Sequence, residues 1–256
     1  MAIARQDHCV RQCRRIGHVD VDVETAPGAV GRLVSAISDG RPGIWGFCNA
    51  HTVNLAASDL SFREAIRTMT MFNDGVGVDI ASRYLYGKPF PENLNGTDLT
   101  PALLAALPAG TSVFLVGGRA DVARAAAEKV SSTFSHVRVV GYHHGYFGSS
   151  EQHDVVQRIV ETDARFVMVG MGQPRQEIWA ASNANKLNMP ILCIGAQIDR
   201  FAGLIPRAPL WMRQMKMEWL YRLLLEPRRL AGRYLWGNFI FLARVIFGQR
   251  NVRGEG

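Results

Sequence analysis

The sequence has few cysteines, and their spacing excludes the dense disulfide scaffold of small secreted domains. Four cysteines are spread over 256 residues, and none belongs to a repeated C-x2-C pattern. Such usage is typical of a chain that folds in a reducing compartment. Cys9 and Cys13 form a single C-x3-C pair, which lacks the second pair of ligands that a structural metal site requires.

The hydropathy pattern also lacks segments for export or membrane insertion. Residues 1–22 include several arginines but no apolar core of the length that a signal peptide needs. The nearest approach to a membrane span, residues 234–243, has ten uncharged residues, whereas a spanning helix requires about 20 apolar ones. We therefore expect a cytoplasmic protein.

Charge is distributed unevenly along the chain. Ten of the 29 Lys and Arg residues, but only three of the 22 Asp and Glu residues, lie in residues 206–256. This segment carries a charge of +7, equal to the formal net charge of the whole chain, and residues 1–205 are neutral. A neutral body with a basic tail is typical of a catalytic domain joined to a docking element. We predict a catalytic domain over residues 1–205 and a basic, helical docking appendage over residues 206–256.

Short β-rich runs alternate with helical stretches through the body. The predicted strands are 16–23, 44–48, 112–116, 137–140, 165–169 and 191–194, and residues 69–72 fit a strand or a helix. The predicted helices are 29–37, 61–68, 79–86, 98–106, 120–130, 151–161 and 175–185. Several strands are almost continuously apolar, as is typical of strands that helices cover on both faces. The pattern predicts an α/β fold with a Rossmann-like, mostly parallel sheet and flanking helices.

The tail interleaves tryptophan, leucine and methionine with arginine. We predict two or three helices over 209–225 and 228–248, separated at Pro227, which kinks or ends a helix. On one continuous helix, four arginines would project within about 60° of one another: Arg222, Arg229, Arg233 and Arg244. Such a stripe fits a membrane surface or nucleic acid, and the tail also fits a helical cap packed on the body or an oligomer interface. The long uncharged stretches favour the membrane surface.

Three predicted strands end in glycine turns. The turns are Gly117-Gly118-Arg119, Gly170-Met171-Gly172-Gln173 and Gly195-Ala196. At the carboxyl ends of parallel strands, glycine lets the backbone approach a ligand, and helix N-termini attract phosphate. None of the turns has the full G-x-G-x-x-G of a dinucleotide site, so the pattern favours a nucleoside diphosphate. A tight connection alone would explain any one of these turns.

Two further segments contain candidate polar groups. Asp74 lies in Asn-Asp-Gly-Val-Gly, which is a turn signal but also places a carboxylate where it can act as a general base. Thr52 and Asn54 follow the strand 44–48 and are predicted to alternate onto one side of the chain. The alternative is a helix start with Asn54 or Ser58 as its N-cap.

Two metal-site patterns are discounted. Asp20 and Asp22 resemble a D-x-D pair, but they belong to an alternating strand whose acidic side chains are expected to face solvent. His143 and His144 are adjacent at a strand end and point in different directions, which is a poor geometry for one metal ion.

Taken together, the motifs resemble the WecG/TagA/CpsF family of bacterial glycosyltransferases over about residues 17–248. The matching segments are HTVN, NDGVGVDIASR, NLNGTDL, VFLVGGRADVARAAA, HHGYF, VGMGQPRQEIW and RAPLWMRQMKMEWLYRLLLEPRRLAGRY. The last segment is the most specific, because the order of its basic, aromatic and proline residues has no simple structural reason. NLNGTDL is most similar to members that build exopolysaccharide repeat units.

The resemblance implies an inverting, metal-independent hexosyltransferase without a cofactor. It implies transfer from a UDP-sugar to an undecaprenyl-diphosphate-linked monosaccharide at the inner face of the plasma membrane, with no nucleic-acid partner and a possible homo-oligomer. Asp74 would deprotonate the acceptor hydroxyl, and Thr52 and Asn54 would face the same pocket. The other expected substrate-binding residues are Asn95, Thr97, Asp98, Gly117, Gly118, Arg119, Gly170, Gly172, Gln173, Gln176, Asp199, Arg222, Arg229 and Arg233.

Two segments depart from the family's pattern. Ile198 and Arg200 replace the aromatics that usually flank Asp199, and Gly232 stands where an arginine is often found, with Arg233 after it. Two other hypotheses stay open: a non-catalytic nucleotide- or lipid-binding protein with this fold, and a nucleic-acid-binding protein supported only by the basic tail. UDP-N-acetylmannosamine, its uronic acid and UDP-glucose all fit the family as donors.

Overall fold

The computed structural model describes residues 12–215 and 217–248. Of residues 213, 214, 229, 230, 233–235 and 248 it describes the backbone alone. Cys9, half of the C-x3-C pair, lies outside the described residues.

Within these residues the chain forms eight strands and twelve helices. The strands are β1 (Cys13–Ile16), β2 (Val19–Asp22), β3 (Gly43–Cys48), β4 (Thr70–Asn73), β5 (Ser112–Gly117), β6 (Arg138–His143), β7 (Phe166–Gly170) and β8 (Pro190–Cys193). The helices of the body are α1 (Ala26–Ser38), α2 (Ala50–Ser58), α3 (Leu60–Arg67), α4 (Val76–Tyr86), α5 (Gly96–Ala106), α6 (Ala120–Thr133), α7 (Gln152–Val160), α8 (Arg175–Leu187) and α9 (Gln197–Phe201). The helices of the tail are α10 (Leu210–Gln214), α11 (Glu218–Leu225) and α12 (Pro227–Gly248).

The strands form one sheet in the order β1-β2-β4-β3-β8-β7-β5-β6. Only the β1–β2 pair is antiparallel among the described strands. Helices α1, α5, α6 and α9 bury apolar side chains on one face of the sheet, and α2, α3, α4, α7, α8 and α12 do so on the other. The α/β fold with a mostly parallel sheet and flanking helices is thus confirmed. In such a sheet the parallel strands end at one edge, where ligands bind.

The first predicted strand, 16–23, contains all of β2 but is not one continuous strand. The segment is the end of a hairpin in which Ile16 of β1 pairs with Val19 of β2, and Gly17 turns the chain at a φ of +60°. The two acidic residues of this segment differ in exposure, and Asp20 faces solvent as expected. Asp22 is buried and accepts a hydrogen bond from Arg32 Nη2 at 2.9 Å, contrary to the expectation that it faces solvent.

The tail forms three helices over the predicted ranges, and the break between the last two lies beside Pro227 as predicted. Glu226 has a non-helical backbone (φ −131°, ψ 58°) and separates α11 from α12. Pro227 begins α12, a position that its fixed φ favours. The predicted stripe of four arginines on one helix is therefore wrong. Arg222 lies on α11, and the side chains of Arg229 and Arg233 lie outside the described part of the chain.

Helix α12 packs on the body by one face. Phe241 and Val245 are buried there, and Gly237 O accepts a hydrogen bond from Asn54 Nδ2 of α2 at 2.7 Å. The outward face is apolar and exposed at Trp236 and Phe239. Among the described residues, no helix combines the length and the apolar character needed to cross a membrane.

Candidate active site

A cleft of about 320 Å³ opens at the edge where the parallel strands end. Residues after β3, β4, β5, β7 and β8 contribute to its walls, together with Arg222 from the tail. Of the predicted site residues, those that line it are Asp74, Thr97, Gly118, Gly170, Gly172, Gln173, Gln176, Asp199 and Arg222. The sheet topology therefore brings together segments that are distant in sequence.

Asp74 lies directly after β4, in the wall of the cleft. Its N–H donates to Cys48 O at 2.8 Å, which continues the pairing with β3 past the end of the strand. Gly75 then turns the chain into α4 at a φ of +93°, and its N–H donates to Asn93 Oδ1 at 2.8 Å. Asn49 Nδ2 donates to Asp74 Oδ2 at 3.4 Å. The carboxylate is thus held at the strand end, where it can accept a proton from a bound hydroxyl.

Thr52 and Asn54 lie on α2, so the prediction that they alternate onto one side was wrong. The N-cap of this helix is Asn49, not Asn54 or Ser58, and it forms a reciprocal capping box with Thr52. Two residues apart on a helix, side chains project about 200° apart. Thr52 Oγ1 accordingly lies 3.0 Å from Gln173 Nε2, whereas Asn54 bonds Gly237 O of the tail. Neither residue is in the wall of the cleft.

A buried carboxylate braces the floor of the cleft. Gln176 Oε1 accepts the N–H groups of Gly172 at 3.2 Å and Gly195 at 3.0 Å, and thereby joins the turns after β7 and β8. Its Nε2 donates to Glu177 Oε1 at 2.8 Å. Glu177 is completely buried, and burial raises the pKa of its carboxyl. The Gln176 amide is therefore used mainly to hold the two turns together.

Three arginines line the cleft: Arg175, Arg200 and Arg222. Arg200 Nη2 donates to Glu218 Oε1 of α11 at 2.9 Å, which ties α9 to the tail. Burial lowers the pKa of the Arg200 guanidinium, as does the charge of Arg222, while Glu218 and Asp74 raise it. Arg200 Nη1 and Arg222 Nε are buried and have no hydrogen-bond partner among the described residues. Buried donors without partners are rare in folded proteins, and these two, on residues that line the cleft, are available to an anionic ligand.

The NLNGTDL segment contributes less to the cleft than expected. Asn95 is the N-cap of α5, where its Oδ1 accepts the N–H of Asp98 at 2.9 Å. Asp98 also forms an ion pair with Arg207. Thr97 is the predicted residue of this segment that reaches the cleft.

Of the three residues predicted in the turn after β5, only one lines the cleft. A Cβ on Gly117 would clash with Gly170 O, so this glycine permits the close approach of β5 to β7. Gly118 lines the cleft. Arg119 is exposed at the start of α6 and pairs with Asp121 (Nε–Oδ1 3.4 Å), outside the wall of the cleft.

Sequence reasoning missed several residues that line the cleft. They are Asn49, Tyr146, Arg175, Gln197 and Arg200. Asn49 follows β3 directly, so the strand-end rule that selected the glycine turns could have found it. The charge of Arg200 was visible only as a departure from the family's pattern.

The histidine pair makes no metal site with a neighbouring ligand. His143 Nδ1 lies 2.8 Å from His144 O, and the two rings lie 4.3 Å apart. Within the described ranges, no group of three or more His, Cys, Asp or Glu side chains is arranged to hold a metal ion.

A sequence profile of the Glycosyl transferase WecG/TagA/CpsF family matches residues 14–254, which is nearly the whole chain. The chain belongs to this family. It is therefore a glycosyltransferase of cell-surface polysaccharide synthesis, and the family implies a sugar donor and a lipid-linked acceptor. The cleft with Asp74 and its three arginines is the candidate site for that transfer.

Proposed function

We propose that this glycosyltransferase transfers a sugar from a UDP-sugar to an undecaprenyl-diphosphate-linked monosaccharide, with inversion and without a metal or other cofactor. The donor is UDP-N-acetylmannosamine, its uronic acid or UDP-glucose. One observation carries the proposal: a carboxylate, Asp74, shares a cleft with two guanidinium groups, Arg200 and Arg222, whose buried N–H donors lack described partners.

The carboxylate acts as the general base. Asp74 takes the proton of the acceptor hydroxyl while the hydroxyl oxygen attacks the anomeric carbon of the donor sugar. The bond from that carbon to the diphosphate oxygen breaks, and its electron pair stays on UDP. Because a single displacement occurs, the anomeric configuration inverts.

The arginines stabilise the leaving group. Negative charge grows on the diphosphate as the glycosidic bond breaks, and preorganised guanidinium donors in a partly buried site stabilise such charge strongly. Arg200 and Arg222 are the candidates, with Arg229 and Arg233 as further predictions on α12. This arrangement supports a reaction in which guanidinium groups, not a metal ion, neutralise the diphosphate.

The nucleotide binds against the glycine turns. Gly118, Gly170 and Gly172 let the backbone approach the diphosphate near the N-termini of α6 and α8. Tyr146 is 72% exposed and lines the same cleft, where its ring offers a stacking surface for the nucleobase. Asp199, the retained acidic residue after β8, lies in the same wall.

We also propose that residues 206–256 dock the enzyme on the inner face of the plasma membrane, either as a single copy or as a homo-oligomer. The +7 charge of this segment and the exposed apolar face of α12 support an anionic lipid surface as the partner. Nucleic acid is not a proposed partner, because the ten uncharged residues 234–243 favour a lipid surface over a phosphate backbone.

The base is tested with Asp74→Asn, which keeps the shape of the side chain but cannot take the proton. Purified full-length protein is incubated with a panel of UDP-sugars and with lipid-linked glucose or N-acetylglucosamine. We expect kcat to fall by about 10²–10⁴ while the KM for the donor changes little. Asp163→Asn, at an exposed ion pair with Arg138, is the matched control. Full transfer by Asp74→Asn would remove Asp74 as the base.

A further inference from the structure

A second groove lies beside the candidate active site and differs from it in chemistry. It has a volume of about 600 Å³ and runs between the outward side of α4 and residues 89–92. Val76, Ile80 and Tyr84 recur every four residues on α4, so they form one stripe along the helix. They are 41%, 51% and 57% exposed. Contiguous exposed apolar side chains of this kind, here beside the charged Asp79 and Arg83, are typical of a binding surface.

Both walls of the groove lead to the active site. The first wall, α4, begins two residues after Asp74. The second wall runs back along α4 and reaches Asn93, whose Oδ1 accepts the N–H of Gly75 at 2.8 Å. After Asn93 the chain continues to Gly96 and Thr97 in the wall of the cleft. The groove therefore ends beside the candidate base.

The cleft and the groove together fit an amphiphile. The cleft has the partly unpaired guanidinium groups of Arg200 and Arg222, which suit an anionic head group. The groove is of mixed character: three charged residues line it, Asp79, Arg83 and Glu92, but most of its lining is apolar. The apolar residues suit an apolar chain, and they are Val76, Ile80, Tyr84, Pro89, Phe90 and Pro91. A lipid-linked sugar diphosphate has both an anionic head group and an apolar chain. With its head group in the cleft, its chain would extend into the adjoining groove.

We propose that the groove between α4 and residues 89–92 binds the first isoprene units of the polyprenyl chain of the acceptor. This inference rests on the proposed function, because it assigns a further subsite for the same acceptor. The stripe from Val76 to Tyr84 spans roughly 12 Å at 1.5 Å per residue. Helix α12 lies next to α4, since Phe241 packs close to Gly77.

The test compares acceptors that share a head group and differ in chain length. The double variant Ile80→Ser, Tyr84→Ser is assayed in the full-length protein with a sugar diphosphate on undecaprenol and with the same head group on a short alkyl chain. We expect the ratio of kcat/KM for the long chain to that for the short chain to fall by about tenfold or more, because buried apolar area is lost only for the long chain. Ile80→Leu, Tyr84→Phe keeps that area and should keep the ratio. Val160→Ser, at an exposed apolar residue of α7, is the control for surface polarity.

Three outcomes would overturn the proposal. The first is an unchanged ratio in the serine variant. The second is an equal loss of binding to anionic vesicles without acceptor, which would assign the groove to the membrane. The third is a change from oligomer to monomer, which would assign it to a second copy.

A binding measurement separates this proposal from the proposed function. Undecaprenyl diphosphate in detergent micelles is the probe, and no donor is present. If the wild type binds it more tightly than the serine variant but transfers no sugar, the proposed function is contradicted and the assignment of the groove is supported. If the wild type and the serine variant bind it equally while transfer occurs, the assignment of the groove is contradicted and the proposed function is supported.

Discussion

At the scale of single residues, the candidate site depends on polar groups that are buried or partly buried behind its wall. Glu177 is completely buried, accepts from Gln176 Nε2, and lies close enough to Gln173 for a hydrogen bond that lowers its pKa. Gln173 in turn contacts Thr52, which caps α2 together with Asn49. Glu177 Oε2 has no hydrogen-bond partner among the described residues, so the network orders the walls of the site through the other oxygen, Oε1.

The protonation of Glu177 should be visible in the pH dependence of stability. Burial raises the pKa of this carboxyl above its ordinary value of 4.5. The folded state therefore holds the proton more tightly than the unfolded state. The free energy of unfolding must then fall as pH rises from about 4.5 through the raised folded-state pKa.

Glu177→Gln removes this titration, so its free energy of unfolding should fall less between pH 5 and pH 8 than that of the wild type. Urea unfolding at both pH values measures the difference. Glu128→Gln, at an exposed glutamate of α6, should behave like the wild type. Parallel pH profiles for the wild type and Glu177→Gln would contradict the assignment.

At the scale of elements, the attachment of α12 shapes the active site from a distance. Helix α12 contacts α2 and α4, the two helices that follow Asn49 and Asp74 in the chain. Arg244 Nη1 adds a hydrogen bond to Asn54 O at 2.8 Å. Helix α11, which holds Arg222 in the cleft, is joined to the body through Glu218 and Arg200. The tail therefore depends on apolar packing for its position and on a few polar contacts for its orientation.

Phe241→Ala tests this attachment. The ring is 1% exposed, and removing a buried phenylalanine costs about 3–5 kcal/mol. Because the ring lies between α12 and the body, we expect the loss to appear as faster amide hydrogen exchange in residues 227–248 and as lower kcat/KM. Phe239→Ala, on the outward face with 66% exposure, should leave the exchange unchanged. Equal protection in both variants would show that the packing of Phe241 does not hold the tail.

The elements that sequence patterns predicted best are the buried strands. Residues 112–116 and 165–169 nearly coincide with β5 and β7, because a continuous apolar run between turn signals has few alternatives. The hairpin β1–β2 was missed, since alternation over 16–23 fits one long strand as well as it fits part of a hairpin. The start of helix α2 was placed too late, at Asn54 or Ser58, and only as the alternative, because its N-cap is Asn49 directly after β3.

At the scale of the whole molecule, charge and apolar surface are concentrated in the same segment. Residues 206–256 have the +7 charge, and α12 exposes Trp236, Phe239 and Phe247. A helix with one apolar face packed and another exposed binds best at an interface where apolar groups leave water and cations meet anionic lipid.

Trp236→Ser, Phe239→Ser should weaken flotation of the full-length protein with anionic vesicles, by about tenfold or more in apparent affinity. The wild type should also bind less in high salt, because salt screens the attraction of the basic tail. Leu60→Ser, at a residue of α3 that is 62% exposed, is the matched control. Unchanged flotation of the double variant would contradict the docking role of α12.

The sequence by itself determined the fold class, the family and the positions of the strand ends that meet in the cleft. These follow from local patterns, namely apolar runs, glycine turns and the ordered motif of the tail. It could not determine which side chains meet in the cleft. Asn49, Arg200 and Arg222 come together with Asp74 because the sheet places β3, β4 and β8 side by side and because α11 packs against α9. Only the tertiary structure decided this, since the register and packing that set those contacts are not encoded within any one segment.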